Sequence, residues 1–213
     1  MRFVVDGDQK LGPLEDPDKD PDAGDESPWD PVEPSTADVR EQGRFLERRQ
    51  QELRAAARRV AAAFAEIPSV RRVVLFGSVA VPLPVEIPRF REFRRAGIAL
   101  PHECHDVDLA VWLDDLTDLP RLRFARSRSL NELHAETGIG VAHRQVDVFL
   151  IEPGTDRYLG RLCTFNKCPK GKPECRVPGC GATRFLRRLE GFALRPDALL
   201  PERIVALFER EEV

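Results

Sequence analysis

Two short runs of this sequence carry apolar residues at every second position, with aspartates out of phase. The runs are Val107–Leu113, with Asp106 and Asp108, and Val146–Ile151, with Asp147. Successive side chains of a β-strand point to opposite faces of a sheet, so each run predicts a strand with one apolar face and one carboxylate-bearing face. If the two strands pair, all three carboxylates converge on the face turned away from the helices.

The other predicted elements place this sheet in the α/β (α+β) class, as a small mixed sheet with flanking helices. In chain order they are a helix over 36–66, a strand over 70–76, a short basic helix over 89–95, a helix over 120–137, a short helix over 183–190, and a run over 204–208 compatible with strand or helix. The two long helices have suitable capping residues, Ser35 and Asp118, and Gly138 is suited to end the second. The apolar residues of the first long helix recur at helical spacing, which predicts that this helix packs against another part of the fold.

The three carboxylates predict a cation site. Carboxylates held close together repel one another unless a positive charge lies between them, and Mg²⁺ favours a few carboxylates together with substrate phosphates. Gly77-Ser78 directly follows the strand 70–76. A glycine at this place allows close approach of the backbone, and free N–H groups with a serine hydroxyl can donate to phosphate.

The order of these three motifs resembles that of the polymerase-beta-type nucleotidyltransferases, above all their small bacterial members. The resemblance covers about residues 40–152. It implies that Asp106 and Asp108 bind two Mg²⁺ ions, that Asp147 binds one of them and helps to deprotonate the attacking hydroxyl, and that Gly77 and Ser78 hold the β- and γ-phosphates of a nucleotide. In-line displacement at the α-phosphate, with charge stabilised mainly by two metal ions, is the implied chemistry.

The chain departs from that family in the spacing of the motifs. Asp106 follows Ser78 by 28 residues, whereas small family members have about a dozen. The inserted segment 79–105 is therefore predicted to be an excursion beside the nucleotide. Its arginines either contact phosphates or form a solvated helix face.

Charge and composition divide the chain into three parts. Residues 1–40 hold twelve acidic and four basic side chains, although the whole chain has a net charge of −3. Residues 1–36 are predicted to be a disordered acidic tail, either a solubilising segment or an acidic mimic that shields a basic site. Residues 37–152 are the predicted nucleotidyltransferase-like core, and 153–213 a Cys-rich extension. No apolar run approaches the roughly 20 residues that span a bilayer, and the N-terminal apolar run is too short for a signal peptide, so we expect a cytoplasmic protein.

Four cysteines in the extension suggest a second metal. Their spacing is C-x4-C-x6-C-x4-C, among prolines and glycines, at Cys163, Cys168, Cys175 and Cys180. Four thiolates within a turn-rich segment that has few apolar residues suit a structural Zn²⁺ site. The alternative is a loop with free thiols.

These features support three classes of function. The first is an enzyme that transfers a nucleoside monophosphate from an NTP, such as ATP, to a hydroxyl of an unknown acceptor. The second is a non-catalytic nucleotidyltransferase-like regulatory or antitoxin module. The third, a zinc-dependent nucleic-acid-binding protein, requires a more basic face than the net +5 that remains outside residues 1–40.

Overall fold

The computed structural model of the chain describes residues 33–164, 182–188 and 191–211. All of these except Glu33 belong to one unit, Pro34–Val213. The helices are α1 (Thr36–Ala65), α2 (Arg91–Arg95) and α3 (Leu119–Thr137). The strands are β1 (Val70–Phe76), β2 (Val85–Glu86), β3 (Leu100–Pro101), β4 (Val107–Leu113), β5 (Val146–Ile151), β6 (Tyr158–Leu162), β7 (Leu186–Arg187) and β8 (Val205–Glu209).

Local capping chemistry sets the bounds of both long helices. At the start of α1 the Asp38 amide donates to Ser35 Oγ at 3.3 Å, and the Ser35 amide donates to the Asp38 carboxylate at 2.8 Å. This reciprocal pair satisfies two of the amides that a helix start leaves unpaired. Helix α3 ends at Gly138, whose φ of 75° is the left-handed conformation that glycine adopts most easily. The predicted cap Ser35 and the predicted end of α3 are therefore confirmed. Asp118 lies at the predicted N-cap position of α3, but its carboxylate accepts from Ser69 Oγ at 2.6 Å and makes no cap hydrogen bond.

Six strands form one mixed sheet in the order β7-β6-β5-β4-β1-β8. Strands β4 and β5 are parallel, and every other neighbouring pair is antiparallel. Three of the six strands, β6, β7 and β8, come from the segment that the sequence assigns to the Cys-rich extension. The expected α+β class, with a small mixed sheet and flanking helices, is confirmed.

The two faces of the sheet differ in what covers them. On one face the alternate apolar residues of β1, β4 and β5 join the buried side chains of α1 and α3 in the main core. On the other face a smaller buried cluster, Val74, Phe76, Ala110, Trp112, Phe149 and Ile151, is packed by residues from the C-terminal segment. The face on which the sequence places the aspartates thus has an apolar centre, with the aspartates at one end and Arg72 over the Trp112 ring at the other.

Two differences from the sequence predictions concern the C-terminal part. The expected short helix over 183–190 is wrong for its described residues, because Leu186–Arg187 pairs as a strand with β6. The run at 204–208, which the sequence left open between strand and helix, forms strand β8 and pairs with β1. Among the described residues no helix combines the length and apolar character that crossing a membrane requires.

Candidate functional site

Two of the three predicted carboxylates lie opposite each other in the parallel pair of strands. Asp108 of β4 is in register with Asp147 of β5. Both alternate with the residues of the main core, so they share the face turned away from the helices, as the sequence predicts. Across the other edge of β4, Asp108 is in register with Phe76, the last residue of β1. The end of β1 therefore meets the two carboxylates.

Gly77 follows Phe76 and touches Asp108 closely. Its φ is +75°, and a Cβ added at this position would lie 2.6 Å from Asp108 Oδ2. Any other residue would strain the backbone and collide with the carboxylate. The Ala80 amide then donates to the Gly77 carbonyl at 3.1 Å, so the chain continues as a turn. Sequence reasoning thus identified a glycine whose absence of a side chain is used at the site.

Side chains of α1 donate hydrogen bonds to the backbone carbonyls of the turn that follows Gly77. Gln50 is only 5% exposed, and its amide donates to the carbonyls of Val81 at 2.7 Å and Ser78 at 3.2 Å. Arg54 Nε donates to the Val79 carbonyl at 2.8 Å. The Ser78 hydroxyl hydrogen-bonds the thiol of Cys104, whose pKa is raised by burial. The turn is therefore fixed by helix contacts, and the predicted phosphate-binding hydroxyl has a protein partner.

Asp106 lies just before β4 and is exposed. It is close enough to act on Asp108, whose pKa is raised to about 6. Burial is the main cause of that shift, Arg161 opposes it, and the Asp106 charge adds to it. The structure therefore places Asp106 close enough to act on Asp108, and Asp147 in register with Asp108 on the neighbouring strand.

Arg161 on β6 is the site residue that sequence reasoning missed. Its guanidinium forms an ion pair with Asp147 and lies 4.8 Å from the centre of the Phe149 ring. Burial lowers the pKa of Arg161, while Asp108 and Asp106 act to raise it. A protein cation thus sits among the carboxylates for which the sequence argument requires positive charge. The apolar residues on both sides of Arg161 in Tyr158–Leu162 were the signal that could have predicted a strand here.

No group of three histidine, cysteine or acidic residues is placed to hold a metal ion within residues 33–164, 182–188 and 191–211. Of the four predicted zinc ligands, only Cys163 belongs to these ranges. It is a free, buried cysteine whose amide donates to the Phe185 carbonyl at 2.8 Å. Cys168, Cys175 and Cys180 lie outside the described residues, as do residues 1–32 of the predicted acidic tail.

The inserted segment 79–105 forms a small outlying structure. Strands β2 and β3 pair with each other, and α2 lies between them in sequence. Phe93 of α2 is buried against Leu46 of α1 and Leu100 of β3, which anchors the segment to the first helix. The α2 arginines Arg91, Arg94 and Arg95 are exposed. A contact between these arginines and phosphates stays a prediction.

Comparison of the chain with known protein families and with curated proteins gave no match in either case.

Proposed function

We propose that this protein transfers a nucleoside monophosphate from an NTP, such as ATP, to a hydroxyl of an acceptor in a magnesium-dependent reaction. The observation that carries the proposal is the register of Asp108 with Asp147 beside Gly77. A nucleotidyltransferase-like fold and a cytoplasmic location, where NTPs and reduced thiols occur together, are parts of the same proposal.

The carboxylates of the site fit Mg²⁺ by their chemistry, although their side chains as placed form no three-residue metal group within the described residues. Asp106, Asp108 and Asp147 would hold it, because carboxylate oxygens are the ligands this ion prefers. Burial, with a smaller contribution from Asp106, raises the pKa of Asp108 to about 6, and a bound cation would favour the charged form of this carboxyl group. When bound, the ion neutralises phosphate charge and makes the acceptor hydroxyl more acidic. The ion pair between Arg161 and Asp147 has to loosen for Asp147 to serve as a ligand.

The transfer itself is a displacement at the α-phosphorus. The acceptor oxygen forms a bond to that phosphorus, the bond from the phosphorus to the bridging oxygen breaks, and pyrophosphate leaves with that oxygen. The hydroxyl proton passes to a carboxylate of the site, for which Asp147 is the proposed acceptor. The Gly77-Ser78 turn, braced by Gln50, is suited to hold the departing phosphates through backbone amides.

A second function is favoured by one specific feature. Asp147 is already paired with Arg161, so a protein side chain supplies the positive charge that catalysis would take from metal. This arrangement suits a non-catalytic nucleotidyltransferase-like regulatory or antitoxin module. The two functions differ in whether an acceptor becomes labelled.

The test is incubation of the full chain with each of the four NTPs, labelled at the α-phosphate, together with Mg²⁺ and cell extract. We expect label on an acceptor with wild type and none with Asp108→Asn. Asp114→Asn is the matched control, because Asp114 follows the opposite end of β4 and pairs there with Arg71. Nucleotide binding without Asp108-dependent label would contradict transfer and favour the regulatory module.

We also propose that Cys163, Cys168, Cys175 and Cys180 hold a structural zinc ion. Elemental analysis of protein purified under reducing conditions should find about one zinc per chain. Cys163→Ser should lower this content. Cys104→Ser, at the other buried free cysteine of the described residues, should not. Zinc near zero in wild type would contradict the proposal.

A further inference from the structure

Two arginines lie side by side on the carboxylate-bearing face of the sheet. Arg161 of β6 is in register with Phe149 of β5 on one side and with Arg187 of β7 on the other. Residues opposite each other in neighbouring strands point to the same face of a sheet. Arg187 therefore belongs to the same face as the ion pair of Arg161 with Asp147.

The two guanidinium groups differ in their partners. Arg161 is held by Asp147 and by the ring of Phe149. Arg187 is half-buried, and its Nε atom is buried with no hydrogen-bond partner in the structure. A buried N–H without an acceptor is unfavourable, because it has lost its hydrogen bonds to water and gained none in return.

The guanidinium groups of Arg161 and Arg187 also repel each other. Arg187 acts to lower the pKa of Arg161, in the same direction as the burial of that guanidinium. Two adjacent like charges, one of which has a buried Nε–H without an acceptor, are suited to an anion that carries several charges. Guanidinium groups match phosphate oxygens especially well, because their planar forks donate two parallel hydrogen bonds.

We propose that Arg161 and Arg187 form a polyphosphate-binding pair, in which Arg187 is a specificity-determining residue for the phosphate chain of the nucleotide. This assignment rests on the proposed function for the identity of its ligand. Neighbouring strands lie about 4.8 Å apart, a separation that two linked phosphates can bridge. Arg161 exchanges Asp147 for phosphate when the anion binds, whereas Arg187 gains an acceptor for its buried Nε–H.

The three aspartates oppose this binding when no cation is present. Asp108→Asn removes the charge of one of them and also stops the proposed transfer. The test therefore uses the full chain carrying Asp108→Asn, in EDTA and at low salt. Sodium tripolyphosphate is titrated into this protein and the heat of binding is measured.

Three variants in the Asp108→Asn background decide the outcome. Arg187→Gln should weaken tripolyphosphate binding at least about tenfold, and Arg187→Lys should weaken it less, because a charge remains without the planar fork. Arg188→Gln is the matched control at the next, exposed position, and it should change affinity by less than about twofold. Succinate should bind more weakly than tripolyphosphate.

Equal affinity for the parent and Arg187→Gln, equal losses at 187 and 188, or a preference for succinate would each overturn the assignment. Circular dichroism checks that each variant is folded. If Arg187→Gln does not fold, the affinity of Arg187→Lys for tripolyphosphate decides the outcome, and an affinity equal to that of the parent overturns the assignment. Tripolyphosphate binding that depends on Arg187, in a protein whose wild type labels no acceptor, would uphold this pair and contradict transfer. Asp108-dependent labelling of an acceptor, together with tripolyphosphate binding that does not change in Arg187→Gln, would support transfer and contradict the polyphosphate-binding pair.

Discussion

Replacement of Asp108 by asparagine should stabilise the metal-free protein. Asp108 sits between β1 and β5, next to Gly77, in a place where burial and Asp106 raise its pKa to about 6. Asparagine has nearly the same shape, so the close approach of Gly77 can be kept. The change removes a charge that the fold holds unfavourably. A residue proposed as catalytic is thus expected to lower stability in exchange for function.

The size of the effect follows from the pKa of Asp108. The rise from 3.8 to about 6 corresponds to about 3 kcal/mol at 1.36 kcal/mol per unit. Above pH 6 the folded state holds the carboxylate charged against this preference, whereas below pH 4 both folded and unfolded chains hold it protonated. The unfavourable contribution is therefore present above pH 6 and absent below pH 4.

The assay is thermal unfolding of wild type and Asp108→Asn in EDTA, from pH 4 to pH 8. We expect the variant to melt about 6–12 °C higher at pH 8, since about 1 kcal/mol shifts the midpoint by about 2–4 °C in a chain of this size. The gain should fade as the pH falls to 4. A variant that melts lower at pH 8, or a difference independent of pH, would refute the account of Asp108.

Three further changes test the parts that surround the site, each read from chemical denaturation and thermal midpoints. Gly77→Ala should lose at least about 1 kcal/mol more than Gly97→Ala, because both glycines have positive φ but only Gly77 would meet Asp108; equal losses would contradict the close approach. Gln50→Leu should lose about 1–3 kcal/mol by leaving carbonyls of the turn unsatisfied, and an unchanged midpoint would count against that support. Arg126→Met should be neutral or stabilising, because Arg126 is 1% exposed and its Nε lacks a partner in the structure; a loss above about 2 kcal/mol would contradict this.

The sequence predicted the central part of the fold closely because its signals there are local. The strands expected at 107–113 and 146–151 are found at those bounds as β4 and β5. Alternation of apolar residues fixes which side chains face the core, so Asp108 and Asp147 could be placed on one face before any pairing was known. The capping residue Ser35 and the end at Gly138 are also decided within one helical turn.

The C-terminal strands carried weaker signals. Strand β7 has two residues, too few to show a period, and its sequence was interpreted as a helix. Strand β6 contains Gly160, and its five residues directly precede the segment in which cysteines, prolines and glycines cluster. Short strands take their conformation from the neighbour with which they pair, and that neighbour is distant in sequence.

The sequence by itself predicted which faces of the strands carry the aspartates and where the glycine turn follows β1, because side-chain periodicity and turn chemistry are properties of short segments. Only the tertiary structure decided what accompanies those aspartates. It set Arg161 against Asp147 and Arg187 beside Arg161 through the pairing of β5, β6 and β7. Electrostatic partners are chosen by distance in space, and no local pattern specifies which cation will be close to a given carboxylate.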